Sequence, residues 1–211
     1  MKKLVLVILL AVFFYLGGHA QDTIRLKHKS YISVYSKSKR YPVLVEWWAT
    51  RANLTCPIKA KRGDKFIPDP KLPAETNLQA DYVGTGFDRG HNFPAADAAC
   101  DQVANDESFY FSNMTAQYPS LNRGDWKSLE VLVRDYAIKE DSVHVWCGSV
   151  GVAKKIGATS VPTQCWKVIY FKKSKEWMAF LFDNNTSKAD GLKNNEATLD
   201  DIEKLTGFKF K

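Results

Sequence analysis

Residues 41–49 read YPVLVEWWA, a run of Val, Leu, Trp and Tyr whose composition suits the buried face of a sheet. Side chains of a regular strand alternate sides, so Trp47 and Trp48 are expected to point to opposite faces, one into a core and one toward a loop or partner. Further strand-like runs lie at 143–152, 168–171 and 177–182, with weaker ones at 23–35 and 108–113. One stretch carries a clear helical period: Trp126, Leu129, Leu132, Val133 and Tyr136, with Asp125 as candidate N-cap. Shorter helices are expected at 95–104 and at 197–205, the latter ended by Gly207. Residues 57–86 form a long polar excursion broken by Pro and Gly, of the kind that often carries function. With no repeat and no linker, the pattern predicts one mixed α+β domain: a central antiparallel sheet with flanking helices.

Residues 1–20 stand apart from this fold. Lys2 and Lys3 precede an apolar run from Leu4 to Leu16, and small residues at Gly18 and Ala20 follow. That is the layout of a secretory signal peptide, and the run is short for a spanning helix, which needs roughly 20 residues. The expectation is a domain over 21–211, secreted or periplasmic, with no membrane partner once the leader is removed. Loss of Lys2 and Lys3 lowers the formal net charge from +7 to +5, which suits an anionic partner without specifying one. Export makes disulfides plausible for Cys56, Cys100, Cys147 and Cys165. A Gly/Thr/Pro-containing segment separates Cys147 from Cys165 as a loop between strands would, which favours that pair.

The chemistry concentrates in Asp88-Arg89-Gly90-His91. A near-neutral imidazole can take a proton from attacking water, which makes His91 a candidate general base. Arg89 offers a fixed fork of donors to phosphate oxygens. Gly90 permits a sharp turn or close approach to a ligand, and Asp88 can orient His91, tie the turn down or position metal-bound water. A satisfied structural histidine in a salt-bridged turn accounts for so short a string about equally well. His28 lies in a basic polar segment, and His144 alternates with Val143 and Val145 as a solvent-facing strand residue would. A second stretch shifts the balance, running Asn113-Met114-Thr115-Ala116-Gln117, then Leu121-Asn122-Arg123-Gly124-Asp125-Trp126, then Glu130 and Arg134. Asn122 could lend an amide oxygen to Mg²⁺, a cation that keeps several waters and needs few protein ligands. Glu130 and Arg134 are spaced to share one helix face, as a site pair or as an ordinary surface salt bridge.

Taken together, the two stretches resemble the DNA/RNA non-specific endonucleases, over about residues 41–182. The resemblance implies a ββα-metal catalytic motif and hydrolysis of DNA and RNA, double- or single-stranded, to 5′-phosphate products by a monomer or homodimer. It implies His91 as general base, Asn122 as direct ligand of Mg²⁺ (Mn²⁺ as possible substitute), and Glu130 acting on the metal through water. Arg89 and Arg134 would contact phosphate, Asp88 would border the metal waters, and Asn113 and Gln117 would support the site, with Gln117 also near substrate. Arg62 is the best match for a further phosphate-binding arginine. Ala116 stands where the family often has Pro, and Phe93 where it commonly has a small residue, changes expected to reshape the cleft. Competing readings are a binding protein with a weakened nuclease fold, a phosphodiesterase of small nucleotides, and a disulfide-stapled interaction protein using Trp47 and Trp48.

Overall fold

The computed structural model describes residues 22–210, apart from 73, 75, 186 and 188. The signal-peptide expectation falls on residues outside this set. The chain opens with β1 (Thr23–Lys27), β2 (Ile32–Ser36) and β3 (Tyr41–Thr50) as an antiparallel meander. It then leaves the sheet for α1 (Arg51–Leu54), α2 (Gln79–Tyr82), β4 (Asp88–His91), α3 (Gln102–Glu107), β5 (Met114–Gln117), α4 (Pro119–Arg123) and α5 (Asp125–Glu140). It returns through β6 (Ser142–Val150), the small hairpin β7 (Lys154–Ile156) and β8 (Thr159–Val161), then β9 (Gln164–Phe171), β10 (Trp177–Asp183), β11 (Glu196–Ala197) and α6 (Leu199–Thr206). The seven-stranded sheet has the order β1-β2-β3-β6-β9-β10-β11 with antiparallel neighbours throughout. This is the mixed α+β fold with a central antiparallel sheet that the sequence predicts.

Helix α5 buries Trp126, Leu129, Val133 and Ala137 along one face. They meet Val45, Trp47, Val143, Val145, Ile169 and Phe171, the inward residues of three neighbouring strands, in one apolar cluster. The opposite sheet face packs Leu44, Trp166 and Val168 against Ile202 of α6 and the tail residues Phe208 and Phe210. Trp47 is 3% exposed and Trp48 42% exposed, so the pair does split between the faces. Burial of such aromatic and aliphatic side chains, roughly 1.5–3 kcal/mol each for the aliphatic ones, drives the two layers onto the sheet.

Several local expectations give way to longer-range contacts. Residues 108–113 form a turn of 3-10 helix at Phe111–Asn113 in place of a strand. Asp125 is the first helical residue and Gly124 the cap. The Asp125 carboxylate instead accepts hydrogen bonds from the Asp190 and Gly191 amides, at 3.1 and 3.2 Å. Residues 95–104 split between a 3-10 turn at Ala95–Ala98 and the start of α3. His28 is buried, stacked on Tyr31 with its Nε2 3.1 Å from Asp69 Oδ2. His144 does not face solvent freely, since its ring lies between those of Trp48 and Trp146. The disulfide is Cys56–Cys100, and Cys147 and Cys165 are buried free thiols. Strand register explains the correction: Cys147 faces Lys167 and Cys165 faces Ser149, so the two cysteines are offset along their strands.

Candidate active site

The Asp88–His91 segment is a strand and not the turn its glycine suggests. It pairs antiparallel with β5, Asp88 opposite Gln117 and His91 opposite Met114. Gly90 is needed for space: a Cβ there would lie 2.0 Å from Gln117 Oε1. Helices α4 and α5 follow β5 directly, completing a ββα unit whose strands and helix carry the chemistry-bearing residues.

His91 sits in an aromatic niche. Its ring lies edge-on to Phe109 with centroids 5.0 Å apart, and Phe66 lies 5.7 Å away. Arg62 stacks over Phe109 and Arg89 over Phe66, at 5.0 and 4.3 Å. Arg89 also donates to Gln79 Oε1 at 2.7 Å, and Arg62 pairs with Asp64 at 2.6 Å. Burial, reinforced by the two nearby arginines, lowers the His91 pKa to about 3. The imidazole is therefore neutral at physiological pH, and its Nε2 has no hydrogen-bond partner among the described residues. The two guanidinium groups hold the ring's basicity down, and a phosphate anion bound to them would offset their charge and raise it toward the range a proton acceptor needs.

Asp88 and Asn122 form the second half of the site. Asn122 Nδ2 donates to Asp88 Oδ2 at 2.9 Å. Arg123 grips the same carboxylate bidentately, at 2.8 and 2.7 Å. Burial works to raise the Asp88 pKa, but Arg123, Asn122 and Arg89 outweigh it and hold the group below the usual carboxylate range. The Asn122 amide is thereby oriented, and its Oδ1 accepts no hydrogen bond among the described residues.

Glu130 lies on α5, partly buried, with no hydrogen bond or ion pair among the described residues. Burial raises its pKa to about 7 against the opposing pull of Lys167, Arg134 and Arg62. Arg134, one turn on, is committed to the buried Asp97 carboxylate at 3.2 Å, which also accepts from Trp47 Nε1 at 2.9 Å. It braces the helix against the Ala95–Ala98 turn.

Asn113 and Gln117 are also turned inward. Asn113 is fully buried, accepts from the Phe93 amide at 2.9 Å and donates to the Phe93 and Ser108 carbonyls. It ties the end of β4 to the turn before β5. Gln117 is buried under Gly90 with Nε2 3.4 Å from Cys165 Sγ, a position that supports the strand and does not face a cleft. Ala116 and Phe93, expected to reshape the cleft, are both core residues, Phe93 stacked on Tyr31 at 4.8 Å.

Arg123, Phe66, Phe109 and Lys167 also border these residues and are not among the candidates drawn from the sequence. Arg123 has a signal, its place beside Asn122. Phe66 and Phe109 have none, because each reaches the His91 ring only through contacts distant in sequence. Lys167 is wholly buried, its ammonium 4.1 Å from the Trp126 ring and without a hydrogen-bond partner among the described residues. Among the described residues, no group of three or more His, Cys, Asp or Glu could hold a metal. The donors here are of another type, the amide oxygen of Asn122 oriented by the neighbouring Asp88 carboxylate. That set fits a hard, hydrated divalent cation, which takes oxygen ligands and retains its waters.

Known proteins share this architecture. A solved structure of the EndoG/EndoGI complex superposes with a TM-score of 0.80 at 24% identity, covering 88% of this chain and 84% of that one, which establishes a common fold. In sequence, the chain is 38% identical to a nuclease of Serratia marcescens over 91% of its own length and 76% of that protein's. It is 33% identical to nuclease C1 of Cunninghamella echinulata var. echinulata, over 92% and 84%. The family model described as DNA/RNA non-specific endonuclease matches residues 13–211. The chain thus belongs to the DNA/RNA non-specific endonuclease family, divalent-metal-dependent hydrolases of nucleic acids.

Proposed function

We propose that this nuclease is an exported, Mg²⁺-dependent endonuclease that cuts DNA and RNA, single- or double-stranded, leaving 5′-phosphates. The observation that carries the reading is His91 set beside Arg62 and Arg89, its Nε2 without a hydrogen-bond partner among the described residues. His91 takes the proton of a water aligned with the scissile phosphorus. Arg89 and Arg62, held over aromatic faces, stabilise charge on the phosphoryl oxygens as it develops. Asn122 would hold the ion through Oδ1, with Asp88 and Glu130 receiving hydrogen bonds from its waters. When bound, the ion supplies Lewis-acid stabilisation of the phosphate and of the departing oxygen. Mn²⁺ fits the same oxygen donors.

None of these groups reads a base or needs a ribose 2′-hydroxyl, so backbone contact alone admits DNA and RNA. The leader-like sequence at 1–20 supports a secreted or periplasmic location, and the Cys56–Cys100 bridge fits an oxidising compartment. The chain would act there as a monomer or homodimer. The test is incubation of end-labelled DNA and RNA oligonucleotides with Mg²⁺ and with chelator. Internal cuts bearing 5′-phosphate, abolished by chelator, are expected. Ends bearing 3′-phosphate, or cleavage that survives chelation, would overturn the proposal.

A further inference from the structure

The sheet face turned away from α5 carries a row of aromatic rings that the hydrolytic site leaves unused. Trp48 of β3, His144 of β6, Tyr170 of β9 and Trp177 of β10 stand in register across the strands. Trp48 and His144 are stacked, with centroids 4.3 Å apart and planes 15° from parallel. His144 in turn lies 3.7 Å from Trp146, and Tyr170 lies 4.5 Å from Trp177. Phe210 packs on Trp146 and covers that part of the row. The Trp48 end is open. There Trp48 and His144 wall a cavity of about 450 Å³, closed on its other side by the β1–β2 loop and edged by Thr50 and Asn53.

Charge around this face is unevenly matched. Glu46 is neutralised by Arg25 at 2.8 Å, and Lys29 pairs with Asp101 at 2.7 Å. Lys27 on the cavity wall, and Lys172 and Lys175 in the turn that closes the aromatic row, have no acidic partner among the described residues. An exposed planar ring beside uncompensated ammonium groups is the combination that holds single-stranded nucleic acid, bases on the ring and phosphates on the cations. A second copy of the chain would bring like charge to the same rim. A neutral sugar would find the nearest carboxylate already engaged.

We propose that this face is a second nucleic-acid site, at which Trp48 stacks an unpaired base and Lys27 holds the adjoining phosphate. The proposal rests on the reading of the protein as a nuclease acting on polymers. A strand held here and reaching round to His91 is presented at high effective concentration, so long single strands are favoured over short ones.

The test is fluorescence anisotropy of labelled oligothymidylate with the His91→Ala protein, alone and combined with Trp48→Ala, Trp48→Phe or Lys27→Glu. Trp48→Ala should weaken binding by about 5- to 150-fold, the range for loss of a base-stacking aromatic. Trp48→Phe should retain most of the affinity, and the exposed Lys27→Glu should weaken it without touching the core. With His91 intact, Trp48→Ala and the parent should cut a short duplex at equal rates. Unchanged oligothymidylate affinity in both Trp48→Ala and Lys27→Glu would overturn the proposal. So would polysaccharide binding or dimerisation that Trp48→Ala abolishes while oligothymidylate affinity holds. A parent protein that cuts no duplex contradicts the nuclease reading instead, and the binding measurement still reports on this face.

Discussion

At the scale of single residues, the site depends on one absent side chain and on one ring kept neutral. Position 90 lies on β4, the strand that presents His91, and a methyl group there would collide with Gln117 Oε1 on the neighbouring β5. Gly90→Ala should cost about 1–3 kcal/mol by overpacking. It should also lower cleavage at least about tenfold, because small displacements of catalytic groups are severe in their effect on rate. Gly90→Ala combined with Gln117→Ala should restore both, as read by thermal denaturation and plasmid nicking; no recovery would mean that contact is not the cause. His144, between Trp48 and Trp146, shows the second effect away from the chemistry: burial lowers its pKa to about 4. The unfolded chain protonates it near pH 6.5 while the folded chain does not until about pH 4, so the unfolded state binds more protons in that window. This residue's contribution thus falls as pH drops from 7 to 4. His144→Gln should lessen the loss of stability across that range by about 1–2 kcal/mol, a figure reduced for partial exposure to solvent. Parallel melting-temperature profiles for parent and variant would contradict it.

At the scale of elements, the loop closed by Cys56–Cys100 carries Arg62, Phe66, Asp88, Arg89 and His91. Closing a loop of this length stabilises by about 4 kcal/mol in the chain-entropy account, with smaller effects common. The Cys56→Ser/Cys100→Ser variant should melt lower by an amount corresponding to about 2–4 kcal/mol, and it should lose activity on warming before the sheet unfolds. Coincident loss of activity and structure would show that the loop has no separate stability. Which parts of this are legible in the sequence follows from the range of the forces involved. The main strands and α5 are readable, because aromatic and β-branched runs and a helical period are local properties. The 108–113 turn is not: Phe109 and Phe111 suit a strand, but the Asn113 amide binds the Phe93 and Ser108 backbone and turns the chain. The disulfide pairing is not legible either, because flanking sequence suggests a loop and says nothing of strand register. His91, Asp88 and Asn122 are recognisable by chemical type, whereas the Asp97–Arg134 tie and the aromatic niche of His91 depend on contacts distant in sequence.

At the scale of the whole molecule, the sheet separates two surfaces of different character. One bears α5 and the β4–β5 unit, with Arg62 and Arg89 beside His91 and the Asp88–Asn122 pair. The other bears the aromatic row and its lysines. No helix among the described residues is long and apolar enough to cross a membrane. If His91 is the proton acceptor of the hydrolytic site, its removal must slow cleavage without disturbing the fold. Initial rates of plasmid nicking should be compared for parent and His91→Ala with Mg²⁺, alongside circular dichroism to confirm the fold. Loss of a positioned general base predicts a fall of about 10²–10⁴-fold in turnover with an unchanged spectrum. A folded His91→Ala protein that nicks at the parental rate would mean that another group accepts the proton.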